Sequence, residues 1–253
     1  MAHPVPVTTD ELLRSVVLFT RLRQDDLDVL HRIMRSQAYA RNRVILSAHD
    51  PCDAFYVLVT GQVKVMLVAE DGREVILSLI RPGDFFGERA LLDNEPHAAG
   101  VIAMEESHLL ILHRDEFRRC ISEMPGVAIG LLRALLGRLR EADHKIGGLI
   151  LLDVTGRVCH LLLQLADWGD GIRIPALPTH QILAQMVGSS RETVSRTIKQ
   201  LSDQGFVEPS KEALVIHNRR ALETAAGQLF RTIPGNLPPR QRRSQVPGLG
   251  PTP

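Results

Sequence analysis

Apolar and polar positions change rhythm several times along the chain. Residues 11–36 carry Leu12, Leu13, Val16, Leu27, Leu30 and Ile33 at helical spacing and predict helix. From about Ala40 to His113 the rhythm shortens. Runs rich in apolar and β-branched residues lie at Phe55–Val59, Gln62–Val68, Val75–Ile80 and Leu109–Leu112. Thr60-Gly61, Asp71-Gly72 and Pro82-Gly83-Asp84 separate them. Many short strands with glycine turns predict an antiparallel barrel or roll, with Glu70-Asp71-Gly72-Arg73 as a hairpin loop. A long helix is predicted from about Gly126 to Leu152. Its Leu132, Leu135, Leu139, Ala142, Ile146 and Leu149 alternate spacings of 3 and 4, the a/d seam of a two-stranded coiled coil. The same stripe would also suit a helix lying on its own domain. Asp153-Val154-Thr155-Gly156-Arg157 follows, with Gly156 as a hinge candidate, and a further helix over about Val158–Ala166.

The next stretch predicts a helix-turn-helix. Thr179–Val187 reads as a short helix. Gly188 supplies a position free to take positive φ. Ser189 can cap the second helix, with Glu192 three residues on completing a capping box. Val194, Ile198 and Leu201 then form one buried stripe. Arg191, Glu192, Ser195, Arg196 and Lys199 fall on the opposite face. Arg pairs bidentately with guanine O6 and N7, and Glu accepts from cytosine N4. A charged outer face is also what a merely solvated helix shows. The preceding helix, the glycine turn and a following hairpin, Phe206–Pro209 and Ala213–Ile216, favour a winged helix-turn-helix.

Composition narrows the classes. The chain has 253 residues, 44% hydrophobic, with a formal charge of +1. Any nucleic-acid affinity must therefore come from a local patch. Three cysteines, Cys52, Cys120 and Cys159, lie far apart and form no zinc-ligand pair. Sparse, odd cysteines suit a reducing cytosol, and neither a secretory signal nor a membrane span is read, so a cytoplasmic location is expected. From Pro234 the chain is Pro-, Gly- and Arg-rich, and a disordered basic tail is expected there. No GxSxG, Walker loop, HExxH or metal-spaced His/Cys cluster is present, so no catalytic or metal residue is assigned and an enzyme is not expected.

Further motifs extend the pattern: Gly61-Gln62-Val63-Lys64-Val65, Asp71–Leu77, Pro82-Gly83-Asp84-Phe85-Phe86-Gly87-Glu88, Leu152–Arg157 and Ser190-Arg191-Glu192-Thr193-Val194. With the element order, they make residues 11–218 resemble the cyclic-AMP receptor protein and fumarate-nitrate regulator superfamily of bacterial transcription factors. The resemblance implies an α+β chain. An antiparallel β-roll of the cyclic-nucleotide-binding type (a double-stranded β-helix) with flanking helices would occupy 1–125. A dimerisation helix and hinge would occupy 126–153, a winged helix-turn-helix 154–232 and the tail 233–253. It implies a homodimer on a near-palindromic promoter operator, its recognition helices about one turn, roughly 34 Å, apart. RNA polymerase is a possible further partner, and no membrane is implied. The expected DNA-binding set is Thr179, Gln181, Ser189, Ser190, Arg191, Glu192, Ser195, Arg196 and Lys199.

The ligand pocket departs from the family pattern. The resemblance places it at Gly87, Glu88, Arg89, Ala90, His97, Ala98, Ala142 and Asp143. Glu88 is in place for a ribose hydroxyl. His97 stands where the phosphate-binding Arg is expected, and Ala98 where a Ser or Thr hydroxyl is expected. Ala142 and Asp143 replace hydroxyls that would meet the adenine amino group. A cyclic phosphate removed from water needs a paired cation, which Arg offers permanently and a neutral His does not. Arg89 is expected to pair with Glu88 or another acid, or to restore the lost charge. Clustered N-terminal cysteines for an iron–sulfur sensor are missing before Cys52, and the ten histidines show no haem-ligand spacing. The expectation is a regulator that binds DNA without needing cyclic AMP, with no cofactor. The alternatives are activation by another nucleotide, such as cyclic GMP or cyclic di-GMP, held by Asp143 and Arg89, or a module that regulates a protein partner.

Overall fold

The computed structural model describes residues 13, 14, 16, 18–20, 22–51 and 53–227. Cys52 and the basic tail fall outside the described residues, as do parts of the N-terminal helical expectation. Helix α1 (Gln24–Ile33) turns Leu27 and Leu30 inward. It stops at Met34, whose backbone is extended and whose N–H still bonds Leu30 O. Strand β1 (Arg35–Tyr39) begins immediately, so the helix predicted to residue 36 runs past its real end. Arg-Ser-Gln-Ala-Tyr is almost wholly exposed and shows no apolar alternation. Only its pairing with a distant strand, Arg35↔Ile111 to Tyr39↔Ser107, makes it β.

The strands that follow are β2 (Val44–Leu46), β3 (Ala54–Thr60), β4 (Val63–Val68), β5 (Glu74–Ile80) and β6 (Phe85–Phe86). After a short helix α2 (Glu88–Asp93) come β7 (Gly100–Ala103) and β8 (Ser107–His113). They form two four-stranded sheets, in the orders β1-β8-β3-β6 and β2-β7-β4-β5. Every pairing is antiparallel. The β4–β5 hairpin closes at the predicted loop: Ala69 N–H bonds Arg73 O, and Gly72 N–H bonds Ala69 O, both at 2.9 Å. Inward residues of the sheets make two apolar clusters. One joins Phe55, Val57, Phe85 and Leu112 to Leu27, Leu30 and Phe117. The other holds Leu58, Val63, Ile80, Phe86, Val101 and Leu109. Phe55 stacks on Phe117 with ring centroids 4.8 Å apart. Each such side chain, fully buried, contributes about 1.5–3 kcal/mol.

Helix α3 (Arg114–Glu123) leads into the long helix α4 (Pro125–Leu151). Val127 and Leu131 bury against the first cluster, and Leu135 packs on it too. Of the expected seam positions, Leu135 is half-buried and packs against the protomer's own core. The outward apolar stripe runs Ile129, Leu132, Leu136, Leu139, Ile146 and Ile150, each between 48% and 74% exposed. Asp143 continues its 3–4 alternation. Ala142 and Leu149 are exposed beside it.

Beyond α4 lie α5 (Val154–Asp167), β9 (Arg173–Pro175), α6 (His180–Val187), α7 (Arg191–Asp203), β10 (Val207–Pro209), β11 (Ala213–Ile216) and α8 (Arg219–Ala225). Described residues up to 149 gather with 178–195 into one compact unit, and 150–177 gather with residues from 196 onward into another. In the second, β10-β11-β9 form a small antiparallel sheet and α5 packs on α8. The predicted hairpin is β10–β11, and β9 joins it as a third strand. Asp153 caps α5, accepting from Gly156 N at 2.8 Å. Gly156, the hinge candidate, therefore lies in the first turn of a helix. A Cβ there would lie 3.0 Å from Ala225 O, so its lack of a side chain lets α8 approach α5.

Candidate functional site

Local capping chemistry builds the helix-turn-helix. Thr179 Oγ1 accepts from Ile182 N at 3.3 Å and opens α6. Gly188, at φ 65°, closes it. The N–H groups of Gly188 and Ser189 converge on Ala184 O, a Schellman ending. Ser189 thus serves the end of α6. The cap of α7 is Ser190, whose Oγ accepts from Thr193 N at 3.2 Å, which corrects the predicted Ser189 cap. Its backbone N–H, then the Ser190 hydroxyl, hold the exposed Glu192 carboxyl below the usual carboxylate range.

Helix α7 buries Val194, Thr197, Ile198 and Leu201. Arg191, Glu192, Arg196 and Lys199 are exposed, and Ser195 is half-buried among them. Thr179, Gln181 and Ser190 are exposed, and Ser189 is half-buried. Two guanidinium groups, an ammonium and an ionised carboxylate on one helix face match the donor and acceptor needs of base edges and phosphates. The Ser195 hydroxyl is bonded to His180 Nδ1 at 2.6 Å, a contact that the sequence reading missed.

The first of the expected pocket residues, Gly87 and Glu88, stand where β6 meets α2. Gly87 takes φ 91°, and a Cβ there would sit 2.6 Å from Ala54 O, so no other residue fits without backbone movement. Glu88 is 2% exposed. Its partner is Arg138 of α4, with Nη1 2.5 Å from Glu88 Oε1. Arg138 Nη2 donates to Phe85 O, and its guanidinium lies 4.4 Å over the Phe85 ring. Arg89, expected to pair with Glu88 or another acid or to restore the lost charge, is exposed, and Glu88 is taken by Arg138 instead. An arginine midway along a mostly apolar helix carried no sequence signal for this role. Below it on α4, Lys145 Nζ donates to Leu77 O.

His97 is also buried, at 7% exposure. Burial pushes its pKa below the ordinary histidine value, and the nearby Asp50, Asp53 and Glu88 charges only partly oppose this. The ring is therefore neutral at pH 7. His97 Nε2 and Glu88 Oε2 are buried without a hydrogen-bond partner among the described residues. Ala98, Ala142 and Asp143 are exposed, and Ala90 is buried.

Among the described residues no group of three or more His, Cys, Asp or Glu could hold a metal ion. Cys120 and Cys159 are free and buried, and burial pushes the Cys159 thiol up to about 12. No single described helix is long and apolar enough to cross a membrane.

Residues 36–124 match the cyclic nucleotide-binding domain family, and residues 156–225 match the Crp-like helix-turn-helix domain family. A CRP-like cAMP-activated global transcriptional regulator of Mycobacterium tuberculosis is 30% identical over 86% of this chain and 99% of its own length. The cyclic AMP receptor protein of Thermus thermophilus is 32% identical over 85% of this chain and 98% of its own. The chain belongs to the CRP/FNR family of transcription regulators. The fold agrees: FixK2 from Bradyrhizobium japonicum superposes with a TM-score of 0.71, covering 76% of this chain and 97% of that one, at 24% identity.

As a CRP-like regulator, the protein carries its DNA-binding function in the helix-turn-helix. Its cyclic-nucleotide pocket is a different matter. At the sugar end Glu88 keeps one free oxygen, which suits a hydroxyl donor. A neutral, buried His97 and the Ala98 methyl give a cyclic phosphate neither a permanent charge nor a hydroxyl.

Proposed function

We propose that this CRP-like regulator acts as a homodimer on near-palindromic promoter DNA and does not need cyclic AMP to bind it. The observation that carries the ligand reading is the Arg138–Glu88 pair. A side chain of α4 already makes the link from β-roll to long helix that a bridging ligand would otherwise supply. A ligand shifts a two-state equilibrium only through its differential affinity for the two states. With the phosphate end of the pocket lost, little differential affinity remains for cyclic AMP. The exposed stripe from Ile129 to Ile150 supports the dimer, because two such stripes bury each other at 3–4 spacing.

For DNA reading, Arg191→Ala is the direct test. It is expected to cost about 1–3 kcal/mol on the specific operator and to relax preference at one guanine. Equal loss on operator and random DNA would reduce Arg191 to a phosphate contact.

A second reading is favoured by the two buried, unpartnered atoms, Glu88 Oε2 and His97 Nε2. Buried polar atoms are costly unless satisfied. A nucleotide other than cyclic AMP could satisfy them, with Arg89 next to Glu88 in the chain and Asp143 exposed on α4. Calorimetric titration with cyclic AMP, cyclic GMP and cyclic di-GMP separates the readings.

A further inference from the structure

His180 is the first residue of α6, directly after its Thr179 cap, and its Nδ1 lies 2.6 Å from Ser195 Oγ. Ser195 sits one turn beyond Arg191 and beside Arg196 on the exposed side of α7. We infer that His180 sets the hydrogen-bonding character of Ser195, and through it the base preference of the recognition helix. This rests on the DNA-reading assignment of α7.

A serine hydroxyl has one hydrogen and two lone pairs. A neutral imidazole donates from one ring nitrogen and accepts at the other. With the hydrogen on Nε2, Nδ1 accepts the Ser195 O–H. That hydroxyl is then spent inside the protein, and Ser195 offers DNA only lone pairs. An acceptor in the major groove meets an exocyclic amino group, on adenine N6 or cytosine N4. If Nδ1 carried the hydrogen instead, Ser195 would turn its own O–H outward. It would then favour guanine O6 or N7, or thymine O4. A serine alone is tolerant of either base class. Bonded to His180 as acceptor, it becomes selective for an amino-bearing base. His180 touches no base in this account and is a positioning residue.

The test is selection from an operator whose half-sites are randomised, with wild type, Ser195→Ala, His180→Phe, His180→Gln and the Ser195→Ala/His180→Phe double variant. Phenylalanine keeps ring bulk without a nitrogen, and glutamine offers a carbonyl acceptor. Wild type is expected to prefer an amino-bearing base at one half-site position. Ser195→Ala and His180→Phe should each lower that preference about 2–10-fold, the range of one hydrogen bond. The double variant should lose no more than either, and His180→Gln should recover part of the preference. An unchanged profile for His180→Phe, a change at a different position, or equal loss on all sequences would overturn the inference. A wild type that selects no sequence at all would instead overturn the DNA-reading assignment. Ring-nitrogen NMR of the folded wild type gives a second measurement independent of any variant. A bare Nδ1 and a protonated Nε2 on His180 are expected, and a protonated Nδ1 would contradict it.

Discussion

Arg138 Nη1 lies 2.5 Å from Glu88 Oε1 and ties the long helix to the first turn of α2. Glu88 is almost fully buried, whereas the Arg138 side chain is about a third exposed. Removing one member of a buried pair leaves the other charge uncompensated, which can cost about 3–5 kcal/mol when both are buried. Solvent reaching Arg138 lowers that figure. Arg138→Leu is expected to destabilise the protein by about 1–3 kcal/mol in urea unfolding. Adding Glu88→Gln should recover part of the loss, because the stranded charge is gone. No recovery would mean that Arg138 acts through its packing on Phe85 instead.

His97 predicts a pH dependence whose sign is fixed. Its folded pKa is depressed by burial, so the unfolded chain binds the proton more readily. Unfolded histidine titrates near 6.5. The His97 contribution is fully present above that value and is lost as pH falls below it toward the folded pKa. Unfolding free energy should therefore decline over this acidic range, and His97→Gln should flatten the decline. A wild-type profile that the substitution leaves equally steep would contradict the assignment.

Helix α4 turns two neighbouring leucines in different directions. Leu136 faces outward, 54% exposed, while Leu135 packs on the protomer core. Leu136→Glu should leave protomer folding nearly intact and shift sedimentation toward monomer, by placing facing carboxylates in a desolvated seam. Leu135→Ala should lower protomer stability by about 2–4 kcal/mol with pairing retained. If Leu136→Glu remains a stable dimer, another surface joins the protomers.

Much of this was legible in the chain. Strands β3, β4, β5 and β8, the long helix and the helix-turn-helix follow from periodicity and glycine turns, whereas the short β2, β6 and β7 give no such run. Those signals are local, because an inward residue at every second or fourth position marks its own element. What failed depended on distant partners. Strand β1 is exposed and polar, and only β8 makes it a strand. Leu135 and Leu136 share a helix and a chemistry, and the core position behind them decides which one turns outward. Ser189 and Ser190 are both fair caps. The Schellman ending at Gly188 uses the first and leaves the second for α7. The residues at His97 and Ala98 were readable as types. The Arg138–Glu88 pair was not, because it spans fifty positions of chain.

Operator affinity measured with and without cyclic AMP tests most directly whether this regulator is competent for DNA without the nucleotide. Selection from random DNA with the purified protein supplies the operator. Fluorescence anisotropy then gives Kd in buffer alone and in millimolar cyclic AMP at fixed salt. Cooperative ligand effects in allosteric proteins are typically 5–150-fold, so a change within about 2-fold counts as independence. That is the predicted result, together with tight, sequence-specific binding by the free protein. Weak binding that cyclic AMP strengthens by about tenfold or more would contradict the account and return the pocket to the nucleotide.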